Sequence, residues 1–164
     1  MNKLWAPWRI RYITQTHKKR CIFCTARTHT HNHSVVFRTP YNLVMLNTFP
    51  YNNGHCMVCP KRHLKRIAQL TQKEILDLFS AIATTQRLLK EILKPEGFNI
   101  GINEGKCAGA GILGHLHVHI VPRWTGDTNF MPSIFGTKVI SQSLNQLHTQ
   151  LTDAYAKTYK RTRK

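Results

Sequence analysis

Nine residues constrain this chain more than any others: Gly114-His115-Leu116-His117-Val118-His119-Ile120-Val121-Pro122, in which imidazoles alternate with branched apolar side chains. A period of two predicts a half-buried strand, because successive side chains on a strand point to opposite sides. Leu116, Val118 and Ile120 then face a core, while His115, His117 and His119 line up on the other face. Same-face neighbours stand roughly 6.5–7 Å apart, so three rings in a row can do three different jobs. A surface strand that carries one histidine is ordinary; three in register are not. Pro122 cannot donate to a ladder and is expected to end the strand.

The rest of the chain supplies partners for that strand. Val35–Arg38 and Asn42–Asn47 are strand-like around a Pro40-Tyr41 turn, Gly54–Pro60 is a third strand, and Phe98–Ile102 is another, which suggests an antiparallel meander. Thr71-Gln72-Lys73-Glu74 is a capping box, and an apolar stripe from Ile75 to Leu93 runs down to Lys94-Pro95. That is a long helix able to cover a sheet. Leu144, Leu147, Leu151 and Tyr155 set a second amphipathic helix over residues 141–160. The expected class is α+β: an antiparallel sheet of about five strands, a long covering helix and a C-terminal helix. Residues 1–20 form an aromatic, basic arm that packs on the body or on a second subunit. Residues 21–132 form the domain proper, and 133–164 the C-terminal helix and basic tail.

Cys21-x-x-Cys24 has the spacing of a metal knuckle, since a tight turn brings both thiolates onto one ion. A redox pair would need a following helix, and Thr25–Ser34 (TARTHTHNHS) does not read as one. A closed zinc site needs four ligands. His63, which follows the third strand, and His115, which opens the histidine strand, are the candidates for the other two. The gap from Cys24 to His63 is far too long for a nucleic-acid-binding finger, so the role would be structural, tying the knuckle to the sheet. A second pair, Cys56 and Cys59, lies within a strand, where positions i and i+3 face opposite sides; these are core residues, not ligands. His29, His31 and His33 also alternate but sit in a polar loop and read as solvent-exposed.

No apolar run approaches the ~18 residues of a membrane span, and Met1–Arg20 lacks the apolar stretch of a signal peptide. With an odd number of cysteines, this points to the reducing cytoplasm. The formal charge of +17 is concentrated at the ends, where residues 1–20 and 157–164 hold 11 of the 24 basic residues and no acidic one. Such ends attract polyanions without specifying which.

With His115 on a metal, His117 is left free. Neutral imidazole is a good nucleophile, and its attack on phosphorus gives a covalent nucleotidyl intermediate. The loop before it carries Gly105, Gly109, Gly111 and Gly114, whose backbone N–H groups can cradle phosphate oxygens.

His115-Leu116-His117-Val118-His119-Ile120, with Asn103-Glu104-Gly105 upstream and Asn47 ahead of Gly54-His55, resembles the signature of the histidine triad family. Leu4-Trp5-Ala6-Pro7-Trp8-Arg9 and the run from Pro122 to Pro132 resemble its bacterial branch related to diadenosine tetraphosphate phosphorylases. The resemblance spans roughly residues 21–130. It implies a homodimer of α+β subunits with a nucleotide on each sheet. His117 would be the nucleophile on the α-phosphorus, and His119 would bond to phosphate or the leaving group. Asn47 would hold the ribose, Asn103 the phosphate, with Gly109, Gly111 and Trp124 completing the nucleotide contacts. It also implies structural zinc on Cys21, Cys24, His63 and His115. Where relatives carry a Gln, Ser or Thr that bonds phosphate, this chain has Gly111 and Ile112, so contacts there would be backbone N–H groups.

The activity this implies is nucleotidyl transfer from, or hydrolysis of, dinucleoside polyphosphates, first among them phosphorolysis of diadenosine tetraphosphate to ADP and ATP. Three other readings stay open: a nucleoside phosphoramidate hydrolase, a zinc-stabilised nucleic-acid-binding protein, and a hydrolase whose catalytic ion sits on His117 and His119.

Overall fold

In the computed structural model the described residues are 21–28, 34–112, 114–128 and 139–161. The expected N-terminal arm and the His29, His31 and His33 loop lie outside them. Five strands, β1 (Val35–Arg38), β2 (Asn42–Leu46), β3 (Cys56–Pro60), β4 (Gly97–Ile102) and β5 (Val118–Arg123), form one antiparallel sheet in the order β1-β2-β3-β5-β4. Among the described residues three α-helices accompany it: α1 (Ile22–Thr28), α2 (Gln72–Leu93) and α3 (Leu144–Arg161). The α+β expectation holds, with five antiparallel strands and the two long helices where the apolar stripes placed them. No described helix is long and apolar enough to cross a membrane.

The alternation of the strands divides the core in two. Val44, Leu46, Cys56, Val58, Val118 and Ile120 pack under Leu78, Ile82, Leu88 and Leu89 of α2 and Leu147 and Leu151 of α3. The opposite parity, Leu43, Met45, Met57 and Cys59, packs under Phe23 and Ala26 of α1. Cys56 and Cys59 therefore lie in different clusters, as their i, i+3 spacing requires, and burial pushes the Cys56 thiol up to about 12.

The capping box at α2 is present. Thr71 Oγ1 accepts from Glu74 N–H, and Glu74 Oε2 accepts from Thr71 N–H at 2.8 Å. Arg62 adds two hydrogen bonds to the same carboxylate and holds it down at about 2. The first turn of α2 is thereby tied to the segment that follows β3.

Two details differ from the expectation for the histidine strand. Ladder pairing starts at Val118, where Val58 and Ile102 flank it, so His115 and His117 sit on the lead-in to β5 and only His119 is within it. Pro122 does not end the strand, because Phe98 pairs with it and Gly97 pairs with Arg123. Its missing donor costs nothing there: β3 pairs with β5 only as far as Ile120, and the Pro122 carbonyl, on that vacated side, accepts from Asn52 Nδ2 at 3.0 Å.

Candidate active site

Two groups of side chains meet at the start of β5. In the first, the ligand atoms of Cys21, Cys24, His63 and His115 all lie within 4.8 Å of one another. His115 Nδ1 is 3.1 Å from Cys21 Sγ and 3.7 Å from Cys24 Sγ, and His63 Nδ1 is 3.3 Å from Cys24 Sγ. Zinc bonds of about 2.3 Å to sulfur and about 2.0 Å to nitrogen set S and N roughly 3.5 Å apart around a tetrahedron, so one ion fits this spacing. His115 Nε2 donates to the Pro60 carbonyl at 2.8 Å, which leaves the Nδ1 lone pair turned toward the sulfurs.

The knuckle itself departs from the sequence expectation. Residues 22–28 are helical, so Cys21 precedes α1 and Cys24 lies in its first turn. A polar-looking segment is held as a helix because Phe23 and Ala26 are fully buried against the sheet. The same Phe23 ring lies 5.2 Å from the His115 ring and 5.1 Å from that of His117, so α1 is a wall of the second group as well.

That second group is His117, His119 and His55, and its hydrogen bonds fix where every ring proton sits. His117 Nδ1 donates to the His115 carbonyl at 2.9 Å, leaving Nε2 with a lone pair. Tyr51 N–H donates to His55 Nδ1 at 3.0 Å, so His55 carries its proton on Nε2 and donates it to His119 Nδ1 at 2.9 Å. His119 must then hold its own proton on Nε2. The outcome is an acceptor nitrogen on His117 beside a donor nitrogen on His119, with ring centroids 4.8 Å apart; among the described residues neither atom has a partner. Burial lowers the pKa of all three rings, that of His119 to about 4 with help from His117 and that of His55 to about 3 with help from His119.

His55 went unrecognised in the sequence. Its signal was a lone imidazole at the mouth of an apolar strand, eight residues after Asn47, and its position is set by Gly54. That glycine has φ +77°, and a Cβ there would come within 2.6 Å of Leu93 Cδ1.

The nucleotide-binding candidates divide. Asn47 is at the site: its Nδ2 lies 3.3 Å from His55 Nδ1 and its Oδ1 accepts from Phe49 N–H. Asn103 reaches Gly109 O at 3.5 Å, within the loop. Gly109 (φ +85°) spends its N–H on Lys106 O and Ala110 spends its own on Gly105 O, whereas the N–H groups of Gly111 and Ile112 have no acceptor among the described residues. Ile112 anchors that stretch by packing against the α1 cluster. Trp124 lies past β5, and its N–H bonds Asp127 Oδ2 rather than anything in the histidine row.

A family model described as HIT domain matches residues 28–126. The chain belongs to the HIT domain family. An AP-4-A phosphorylase from Mycobacterium tuberculosis is 35% identical across 96% of this chain and 86% of its own length. A bis(5'-nucleosyl)-tetraphosphatase [asymmetrical] from Schizosaccharomyces pombe is 36% identical over 57% of this chain and 50% of its own. Among solved structures, a ZN-bound histidine triad family protein from Mycobacterium smegmatis shares the fold, with a TM-score of 0.70 and 24% identity over 85% of this chain and 96% of that one.

The proton order in this HIT protein has a pH consequence. Unfolded histidines take up protons near pH 6.5, whereas the folded His55 and His119 resist until about 3 and 4. Folding stability is therefore full above about pH 6.5 and is lost as the pH falls toward 4, where the unfolded chain holds the extra protons. In NMR titrations the ring signals of His55 and His119 are expected to stay at neutral-imidazole shifts from pH 8 to 5. A midpoint near 6.5 for either ring would break the relay.

Proposed function

We propose that the protein transfers a nucleotidyl group from a dinucleoside polyphosphate to inorganic phosphate through His117. The observation that carries the reading is the pair of opposed tautomers, a lone pair on His117 Nε2 beside a proton on His119 Nε2. An uncharged, desolvated imidazole with a free lone pair is a competent nucleophile toward phosphorus. The neighbouring N–H can bond the oxygens on which negative charge builds up. The extensive similarity to a protein named AP-4-A phosphorylase supports the substrate class.

In the first step His117 Nε2 bonds to the α-phosphorus of diadenosine tetraphosphate, the bond from that phosphorus to its bridging oxygen breaks, and ATP leaves. His119 Nε2–H bonds the departing or non-bridging oxygen. The backbone N–H groups of Gly111 and Ile112, unspent within the loop, meet the phosphates, and Asn47 holds a ribose hydroxyl from its place beside His55. In the second step phosphate attacks the same phosphorus, the N–P bond breaks, and ADP leaves with His117 restored.

Cys21, Cys24, His63 and His115 would hold zinc, a donor set of two thiolates and two imidazoles that suits it. Bound there, the ion supplies a cross-link between α1 and the sheet. A homodimer is part of the same reading. It is supported by β4, an edge strand with Ile100 44% exposed, and by Leu76 and Phe79, three apart on α2 and 73% and 66% exposed. A monomer in sedimentation at micromolar concentration would remove that part.

Product analysis with and without phosphate tests the activity. ADP and ATP are expected from diadenosine tetraphosphate when phosphate is present. AMP and ATP formed at the same rate regardless of phosphate would make water the acceptor. No cleavage under either condition would exclude the class.

A further inference from the structure

Beyond His119 the same face of β5 continues with Val121 and Arg123, and there the sheet carries a cavity of about 260 Å³ lined by Tyr51, Asn52, Asn99, Val121, Arg123 and Thr128. Asn99 pairs with Val121 across β4 and β5, and Gly101 pairs with His119. Directly paired residues share a face, so the cavity and the His119 ring lie on one surface, with a glycine beside the ring on the β4 side and Met57 on the β3 side. A Cβ at Gly101 would meet nothing within 4 Å, which leaves the strip between them open. Tyr51 closes the near side, its ring 4.6 Å from that of His55 and 5.5 Å from that of His119.

The cavity's chemistry argues against an anion. Arg123 is the cation in it, and its charge is already answered: Nε and Nη2 bond the two carboxylate oxygens of Asp127 at 2.6 and 2.9 Å, and Nη1 donates to Asn99 Oδ1 at 2.6 Å. Asn52 is likewise spent on Pro122 O and Asp127. These bonds make a rigid, nearly neutral frame. Among the described residues the Tyr51 hydroxyl and the Asn99 amide N–H₂ have no partner, and Tyr51, 56% exposed, brings an aromatic ring to the cavity with these donor and acceptor groups at its rim. That combination takes a flat heteroaromatic ring bearing a sugar. The volume falls just under the range of about 300–1,000 Å³ that holds drug-sized ligands, so it admits one nucleoside and not two.

We infer that this cavity receives the nucleoside of the departing nucleotide, the half of the substrate that His117 does not keep. The inference rests on the dinucleoside polyphosphate reading and adds to it a reason for preferring two nucleosides to one. Val121 lies roughly 7 Å and Arg123 roughly 13 Å along the strand from His119, a distance the phosphates between the attacked phosphorus and the second nucleoside would cross. The leaving group then departs along β5 away from the glycine loop.

The test compares two substrates that share adenosine and four phosphates: diadenosine tetraphosphate, and adenosine 5'-tetraphosphate, which lacks the second nucleoside. Asn99 is exposed on an edge strand, so Asn99→Phe fills the cavity without burying a misfit. It is expected to lower kcat/KM for the dinucleotide about tenfold, the scale of one lost base stack, and to leave the mononucleotide within twofold. Asn99→Ala, which leaves the cavity open instead of filling it, should keep most of the dinucleotide rate, so that the split at Asn99→Phe reads as occlusion. Equal losses with both substrates would mean a purely structural role and overturn the inference, as would a wild type that cleaves the two at equal kcat/KM. A wild type that cleaves neither would overturn the inference together with the proposed function.

Discussion

His117→Ala is expected to lower kcat/KM for diadenosine tetraphosphate by at least about 10⁴-fold, the scale seen when a hydrolase loses its nucleophile. The size follows from what the side chain alone supplies. His117 Nε2 is a lone pair held in place by the Nδ1–H bond to the His115 carbonyl, walled by the Phe23 ring and kept unprotonated by burial. His119 cannot replace it, because its Nδ1 accepts from His55 and its Nε2 carries the proton. Wild-type protein quenched during turnover of labelled substrate should carry acid-labile, base-stable nucleotide, and the variant should carry none. Metal content should be the same in both. If His117→Ala instead strips the metal, His117 is a ligand and the reading with a catalytic ion on His117 and His119 takes over.

How much of this was legible beforehand depended on whether a residue's partners lay in its own element. Period-two alternation placed Val118 and Ile120 in one core and separated Cys56 from Cys59, because strand parity is a local property. The Thr71–Glu74 box was legible for the same reason. The Cys21-x-x-Cys24 spacing asked for two further ligands and made His63 and His115 candidates, and the structure brings those four together from segments up to 94 residues apart. What could not be read was anything decided by tertiary contact. Residues 22–28 are helical because Phe23 and Ala26 find a buried apolar face, which the polar run after Cys24 conceals. His55 reaches the histidine row through its bond to His119, 64 positions away. Gly109, expected to offer its N–H to phosphate beside Gly111 and Ile112, spends it inside the loop on Lys106 O.

Removing the metal is the second large effect, and it should act on the fold and the site together. α1 is seven residues long, too short to persist alone in water. Burial of Phe23 and Ala26 against Leu43, Met45 and Cys59 holds it, as do hydrogen bonds from Arg38 to the Ala26 carbonyl and from Arg27 to the Lys61 carbonyl; the ion that Cys21 and Cys24 would share with His63 and His115 would add a further tie. A ligand bound only by the native state at 1,000 times its dissociation constant adds about 4 kcal/mol. For a chain of this length that corresponds to about 8–16 °C in Tm at about 2–4 °C per kcal/mol. Cys24→Ser, or treatment with a strong chelator, is expected to lower Tm by that amount, and added zinc should restore the chelated wild type but not the variant. Catalysis should fall with the fold, since His115 would be a ligand and is the source of the carbonyl that orients His117, and Phe23 of α1 touches both rings. Wild type that keeps its Tm after verified loss of metal would show that the apolar contacts and hydrogen bonds of α1 suffice, and the four-residue cluster would then have no structural role.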